Sequence, residues 1–333
     1  MKISVIGPQF PDSFANNVSA TLTAMGHEVQ TLDGRLHRHD SNRYAAAFRR
    51  NLPKLFPAIE AKMHARLTRA LIEFHPELVL VTYDLFGPDA LERIKRAAKC
   101  PVACWYIDAP ANLRGGNLFL CDYDAFFVKE PALVETMRGK LALPAHYLPE
   151  ACNPMWHKLV TPTAEQRAKY SCDVVAQGTA HPYRAKFFEG LLEFDVKIWG
   201  APAPAQLRSP SRKFFQGAYL TGLDKAAALA CGKVLVNSIH FVEQQGVNNT
   251  LFEAAGCGAF QICDERPTLA EFFQPGEEVV TFRDRKDLVE KVRYYLGRPE
   301  ERSVIAARAS KRAHRDHSYE KRLASMLQTL RLS

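Results

Sequence analysis

The chain has 333 residues, a length that fits about two domains at roughly 150 residues each. Hydrophobic residues make up 47% and charged residues 24%, which excludes a disordered, collagen-like or coiled-coil chain. The net charge of +8 is concentrated in two stretches. One holds Arg35, Arg38, Arg43, Arg49, Arg50, Lys54, Lys62, Arg66 and Arg69 against Asp40 and Glu60, and the other runs from Arg298 to Arg331. Such stretches suit nucleic acid, anionic lipid headgroups or a phosphate-bearing substrate, or they are solvated helix faces. No zinc-finger, RNA-recognition or helix-turn-helix signature accompanies them, so nucleic acid is the weaker partner.

The N-terminus, Met1-Lys2-Ile3-Ser4-Val5-Ile6-Gly7, is too short in its apolar part for a signal peptide and reads as a first strand. Further short apolar runs at 78–82, 101–107 and Ala125–Val128 read as buried parallel strands. Helical patterns lie between them at about 13–25, 44–74, 88–99 and 130–139. Strands separated by crossover helices imply a doubly wound α/β sheet. A proline-rich stretch, Pro149 through Pro154 to Pro162, reads as a linker at 151–168 between domains spanning 1–150 and 169–333.

A second alternation follows. Strands are expected at 172–176, 196–200, 234–237, 259–262 and 279–282, with helices near 182–192, 223–231, 249–256 and 284–296. Two terminal helices, about 299–313 and 318–330, close the chain. No apolar run reaches the roughly 18–20 residues needed to cross a bilayer. The eight cysteines form no C-x-x-C pair, and several sit inside apolar runs as small hydrophobes, so no zinc site is expected. A cytoplasmic protein is the expectation, peripheral at the inner face of the membrane where the basic stretches meet anionic lipid.

Two α/β domains in series leave a cleft at the carboxyl ends of their strands, where helix N-termini and loops receive phosphates. The most informative segment is Gln244-Gln245-Gly246-Val247-Asn248-Asn249-Thr250-Leu251-Phe252-Glu253-Ala254-Ala255-Gly256-Cys257-Gly258. Thr250 and Glu253 have the spacing of a capping box, with Gly256 and Gly258 ending the helix. The amides of Gln245, Asn248 and Asn249 crowd the same helix start, where a carboxylate such as Glu253 can accept both hydroxyls of a ribose. Asn237 and His240, just after a strand, are further candidates, as is Tyr83-Asp84. Asp108 follows the apolar strand at 102–107 and is the candidate catalytic base, unless it caps the next turn, which Pro110 stiffens. Trp105 and Trp199 read as core.

This segment resembles the C-terminal domain of GT-B glycosyltransferases, and in particular their CgeB-like, spore-maturation-protein-type branch. The resemblance continues through Cys263-Asp264-Glu265-Arg266-Pro267, through Pro275-Gly276-Glu277-Glu278-Val279-Val280 and through Asp316-His317-Ser318-Tyr319-Glu320. Cys104-Trp105-Tyr106-Ile107-Asp108-Ala109-Pro110 matches a Trp-x-x-Asp-x-Pro pattern of the same branch. It implies α/β architecture of the GT-B type, two Rossmann-like doubly wound domains facing across a cleft. It also implies transfer of a hexosyl group from a nucleotide-diphosphate sugar to an unidentified acceptor, anionic or membrane-associated, without a metal or other cofactor.

By motif match, Glu253 would hold the donor ribose, Gly178 would line the diphosphate, and Arg184, with Tyr183 beside it, would sit near the phosphates. Relatives often carry an acid where this chain has Gln245 and an Arg where it has Thr250. Those two departures keep a rival reading open, a non-catalytic module that binds a sugar nucleotide or glycan. Asp122-Tyr123-Asp124 is a D-x-D, the metal signature of the other large glycosyltransferase fold, but it precedes a strand where a metal site would follow one.

Overall fold

The computed structural model describes residues 1–33, 57–108 and 117–332, the side chains of 57–60 excepted. The chain divides into two units, Met1–Leu148 with Leu323–Ser333, and Pro149–Arg322. In the first, β1 (Lys2–Ile6), β2 (Glu28–Leu32), β3 (Leu78–Val81), β4 (Val102–Tyr106), β5 (Ala125–Val128) and β6 (Ala145–Tyr147) form one parallel sheet in the order β2-β1-β3-β4-β5-β6. The central strands β3, β4 and β5 are buried at every position, as expected of strands covered on both faces by helices. Helices α1 (Phe14–Ala24), α2 (Pro57–Phe74), α3 (Pro88–Ala98) and α4 (Pro131–Leu141) make the crossovers. Proline at the first turn of α3 and α4 is pre-set for helix and lacks the N–H that would otherwise be orphaned.

The second unit carries β7 (Cys172–Gln177), β8 (Val196–Trp199), β9 (Gly232–Asn237), β10 (Gln261–Asp264) and β11 (Val280–Phe282), parallel and ordered β11-β10-β9-β7-β8. Around it lie α5 (Ala164–Tyr170), α6 (Pro182–Phe188), α7 (Gly222–Cys231), α8 (Asn249–Gly256), α9 (Leu269–Phe272), α10 (Arg285–Leu296) and α11 (Pro299–Asp316). The last helix, α12 (Tyr319–Thr329), begins in this unit and ends in residues grouped with the first. Among the described residues no helix is long and apolar enough to cross a membrane.

The stretch 151–168, expected as a linker, groups with the second unit. Ala151, Cys152, Asn153 and His157 are buried, Cys152 pairs by its backbone with Ser318, and Thr163 and Gln166 close a capping box on α5. Trp105 is core as expected, edge-on to Phe14 at 4.8 Å with its indole N–H donating to Leu148 O. Trp199 packs edge-on to Tyr170.

His317 pins the end of α11. Its ring lies among Phe252, Phe272 and Phe273, Nε2 is 2.8 Å from Phe272 O and Nδ1 is 3.3 Å from Arg322 Nη2. Nε2 must carry the proton to donate to that carbonyl, leaving Nδ1 to accept. Burial first, then the Arg322 and Arg312 charges, lowers its pKa to about 4. The unfolded imidazole titrates near 6.5, so its contribution is complete above about pH 6.5 and is lost as pH falls towards 4. A full proton taken up on unfolding corresponds to about 1.4 kcal/mol per pH unit. Urea unfolding between pH 7.5 and 4.5 should therefore show a shallower loss of stability in His317→Gln than in the parent chain. Equal slopes would remove His317 as a source of acid sensitivity.

Candidate functional site

Because β7, β8 and β9 are parallel, their carboxyl ends meet at one edge, and the loops leaving that edge carry most of the candidate residues. Gly178 follows β7 with φ of +122°, a conformation open to glycine and strained for other residues. Its N–H donates to Trp199 O at 2.9 Å, so the amide expected to line a diphosphate extends the β7–β8 ladder. A Cβ on Gly178 would lie 1.9 Å from Arg184 Nη1, and a Cβ on Gly200 would lie 2.1 Å from Gly178 O. The turn is thus held between a backbone and a guanidinium.

Arg184 rises from α6. Nη1 donates to Gln177 O at 2.7 Å and Nη2 to Ser238 O at 3.0 Å, joining the ends of β7 and β9. Burial lowers its pKa to about 10, which leaves it charged at neutral pH. Arg184 therefore braces two strand ends, with Nε buried and unbonded. Beside it, His181 caps α6 by accepting from Arg184 N. Burial, then the Arg184 charge, lowers the His181 pKa to about 4, so the ring is neutral. The His181 and His240 rings are 5.0 Å apart, His240 stacks on Phe241 at 4.7 Å, and Phe241 meets Tyr183 at 5.2 Å.

At the end of β9, Asn237 and Asn248 exchange side-chain hydrogen bonds of 2.9 and 2.8 Å. Asn248 also caps α8 by accepting from Leu251 N. The capping box expected at Thr250 is not formed, because the helix begins earlier and Asn248 takes the capping role. Thr250 and Glu253 are both inside the helix. The Glu253 carboxylate is 3.1 Å from Lys225 Nζ, accepts from Asn249 Nδ2 at 3.2 Å and lies 3.7 Å from His157 Nε2. His157 Nδ1 accepts from Asn153 N, so a neutral ring carries its proton on Nε2, towards Glu253. Lys225 and His157 have no motif around them, and only the fold brings them to Glu253.

The loop before α8 is held from the other side. Gln245 O accepts from Thr268 Oγ1 at 2.7 Å, and Glu243 O accepts from Arg266 Nε at 2.7 Å. Arg266 also grips both carboxylate oxygens of Asp264, at 2.9 and 3.1 Å. Burial raises the Asp264 pKa and Arg266 opposes it. A cavity of about 380 Å³ adjoins this clamp, lined by Glu265, Arg266, Leu269 and Thr281 among others.

In the first unit, Asp108 lies just past the carboxyl end of β4, and Asp84 just past β3. Burial, then the Asp108 and Asp84 charges, raises the Tyr106 hydroxyl far above its ordinary range. Pro110 and the basic positions Arg35 to Lys54 lie outside the described residues, while Lys62, Arg66 and Arg69 are exposed. Asp122-Tyr123-Asp124 precedes β5 as expected. Lys95 pairs with both carboxylates, and Asp124 Oδ2 accepts from Val102 N, fixing the starts of β4 and β5 together.

Residues 184–328 match the protein family described as Glycosyl transferase-like. No curated protein matches the sequence. Among solved structures, the sucrose-phosphate synthase of Thermosynechococcus elongatus is similar with a TM-score of 0.66 at 14% identity, covering 99% of this chain and 98% of that one. Anabaena HepE in complex with UDP-glucose is similar at 0.66 and 12%, covering 99% of each chain. The lipopolysaccharide outer core galactosyltransferase WaaB is similar at 0.59 and 12%, covering 99% of this chain and 100% of that one. The architecture is that of GT-B glycosyltransferases, with two Rossmann-like parallel-sheet domains.

The brace at Gly178 has a measurable signature. Gly178→Ala should destabilise by roughly 1–3 kcal/mol through its strained φ, with the clash against Arg184 added. Arg184→Ala removes the clashing guanidinium, so the double variant should be more stable than the two single losses predict, by at least about 0.5 kcal/mol. Strict additivity in urea unfolding would separate the two residues.

Proposed function

We propose that this chain, whose residues 184–328 carry the glycosyl transferase-like match, moves a hexosyl group from a nucleotide-diphosphate sugar to an acceptor. The reading rests chiefly on the polar cluster at the carboxyl edge of the second sheet, where Glu253, Asn249, Asn248 and Asn237 meet around the start of α8. Glu253 is the proposed ribose ligand. Gly178, Tyr183, Arg184, His240, Gln245 and Thr250 are the proposed surround of the diphosphate and sugar. The complexes of HepE with UDP and glucose, and with UDP-glucose, support a uridine donor by analogy. The segments 263–280 and 316–323 support the CgeB-like branch within the wider family. Transfer without a resident metal is supported by the engagement of Asp122 and Asp124 with Lys95.

Asp108 is the proposed base, taking the acceptor hydroxyl's proton as the anomeric carbon is attacked, with inversion of configuration. The exposed Lys62, Arg66 and Arg69 suit an anionic or membrane-associated acceptor. Gln245 and Thr250, standing where relatives carry charges, favour the second reading, a module that binds a sugar nucleotide without turning it over. Calorimetric titration with UDP-, GDP- and TDP-sugars, together with an assay of donor hydrolysis, tests both. Binding with hydrolysis or transfer supports the enzyme, binding alone the module, and no binding at all overturns both.

Two variants test the assigned roles. Each hydrogen bond to a charged group contributes roughly 1.5–3 kcal/mol, so Glu253→Ala should weaken nucleotide binding by about tenfold to a few hundredfold. A folded Glu253→Ala with unchanged UDP affinity would leave the carboxylate only its structural contacts with Lys225, Asn249 and His157. Asp108→Asn should lower kcat by about 10²–10⁴-fold with donor affinity retained. A near-parental kcat, or a product that keeps the donor's anomeric configuration, would remove Asp108 from the role.

A further inference from the structure

We propose that the rings of His181, Tyr183, His240 and Phe241 form a stacking subsite for an uncharged pyranose ring. The inference rests on the reading of the second unit as a sugar-nucleotide handler, and it names which part of a ligand those rings receive. Tyr183 is 42% exposed and Phe241 54% exposed, although their centroids are only 5.2 Å apart. Both have further ring partners. Phe241 stacks on His240 at an interplanar angle of 26°, and Tyr183 lies nearly parallel to His181 and to Phe187, at 13° and 18°. Exposed large rings gathered in one cluster at a strand-end edge mark a ligand-binding surface rather than a solvated loop.

The chemistry of the patch selects the ligand. A pyranose has an apolar face of C–H groups and a rim of hydroxyls. Aromatic faces cover the first, and the imidazole Nε2 atoms can bond the second, the Nδ1 atoms of His181 and His240 accepting from backbone N–H groups. A hydroxyl pair stands close by, with Thr179 Oγ1 and Tyr219 Oη 3.0 Å apart and Tyr219 60% exposed. The patch is built of rings, and the Arg184 guanidinium directs Nη1 and Nη2 at Gln177 O and Ser238 O. His181 is held neutral by burial and by that same Arg184, so it offers hydrogen bonds without charge. An acyl chain would leave the imidazoles and hydroxyls unused. The sugar ring can come from the donor or from the end of the acceptor, and both present the same face.

The test uses the full chain with Tyr183→Ala, Phe241→Ala and the ring-retaining Tyr183→Phe. Saturation-transfer NMR measures binding of methyl glycosides of glucose, galactose, mannose and N-acetylglucosamine, and calorimetry measures UDP and UDP-glucose. The subsite predicts that at least one glycoside binds the parent chain and that both alanine variants lose its signal. Tyr183→Phe should stay within about twofold, and UDP affinity should be unchanged in Phe241→Ala. If UDP-glucose also weakens by about tenfold, the ring belongs to the donor; if only the glycoside responds, it belongs to the acceptor. Absence of binding by every glycoside, or alanine variants that match the parent, overturns the proposal. So does an equal fall in UDP affinity in Phe241→Ala, which would assign the rings to the base. A parent chain that binds no UDP or UDP-glucose would sink the donor reading while the glycoside measurements still decide the subsite.

Discussion

The candidate donor-side residues depend on the parallel ladder of the second sheet. When β7, β8 and β9 all run the same way, every strand ends with carbonyls at one edge, and those carbonyls must be satisfied or hydrated. Arg184 satisfies two of them with one planar fork, at Gln177 and Ser238. A lysine has one point of charge and cannot span both directions in that way. Glycine at 178 is the counterpart of this choice, since any side chain there would occupy the space of the guanidinium. The ladder, the fork and the missing Cβ are three aspects of one arrangement.

A similar economy operates around α8. Asn248 serves twice, as the helix cap and as the partner of Asn237, so the start of the helix is tied to the end of β9. The loop that precedes the helix is tied on its far side by Thr268 and by the Asp264–Arg266 pair. Backbone carbonyls accept the bonds from Thr268 and Arg266 Nε, so the loop is held by its main chain. Glu253 then emerges from a helix fixed at its first turn, beside Lys225.

Much of this was legible in the sequence, and the omissions have physical causes. Fully buried strands such as Leu-Val-Leu-Val at 78–81 and Ala-Phe-Phe-Val at 125–128 declare themselves as uninterrupted apolar runs. The edge strand Glu28–Leu32 does not, because no residue in it is fully buried and its composition is mixed. Ala145–Tyr147 is too short to carry a periodic signal. The Thr250–Glu253 spacing suggested a cap, but Asn248 competes for the same role and gains a second bond to Asn237 by winning it. Lys225 and His157 could not be assigned from pattern, since what joins them to Glu253 is tertiary. The proline-rich stretch looked like a linker because proline punctuates loops, whereas its burial comes from contacts with residues more than a hundred positions away, such as Cys152 with Ser318.

The grouping of 323–333 with the first unit makes Pro149–Arg322 an insertion within that unit. During synthesis the second unit has all of its residues before the first does. The first must wait, with all six of its strands already made, for a last helical segment that includes the buried Leu323, Met326 and Leu327. Domains made from the N-terminus onwards usually fold in that order. Here the order of completion is reversed, and a segment made after the second unit decides when the first becomes a finished domain.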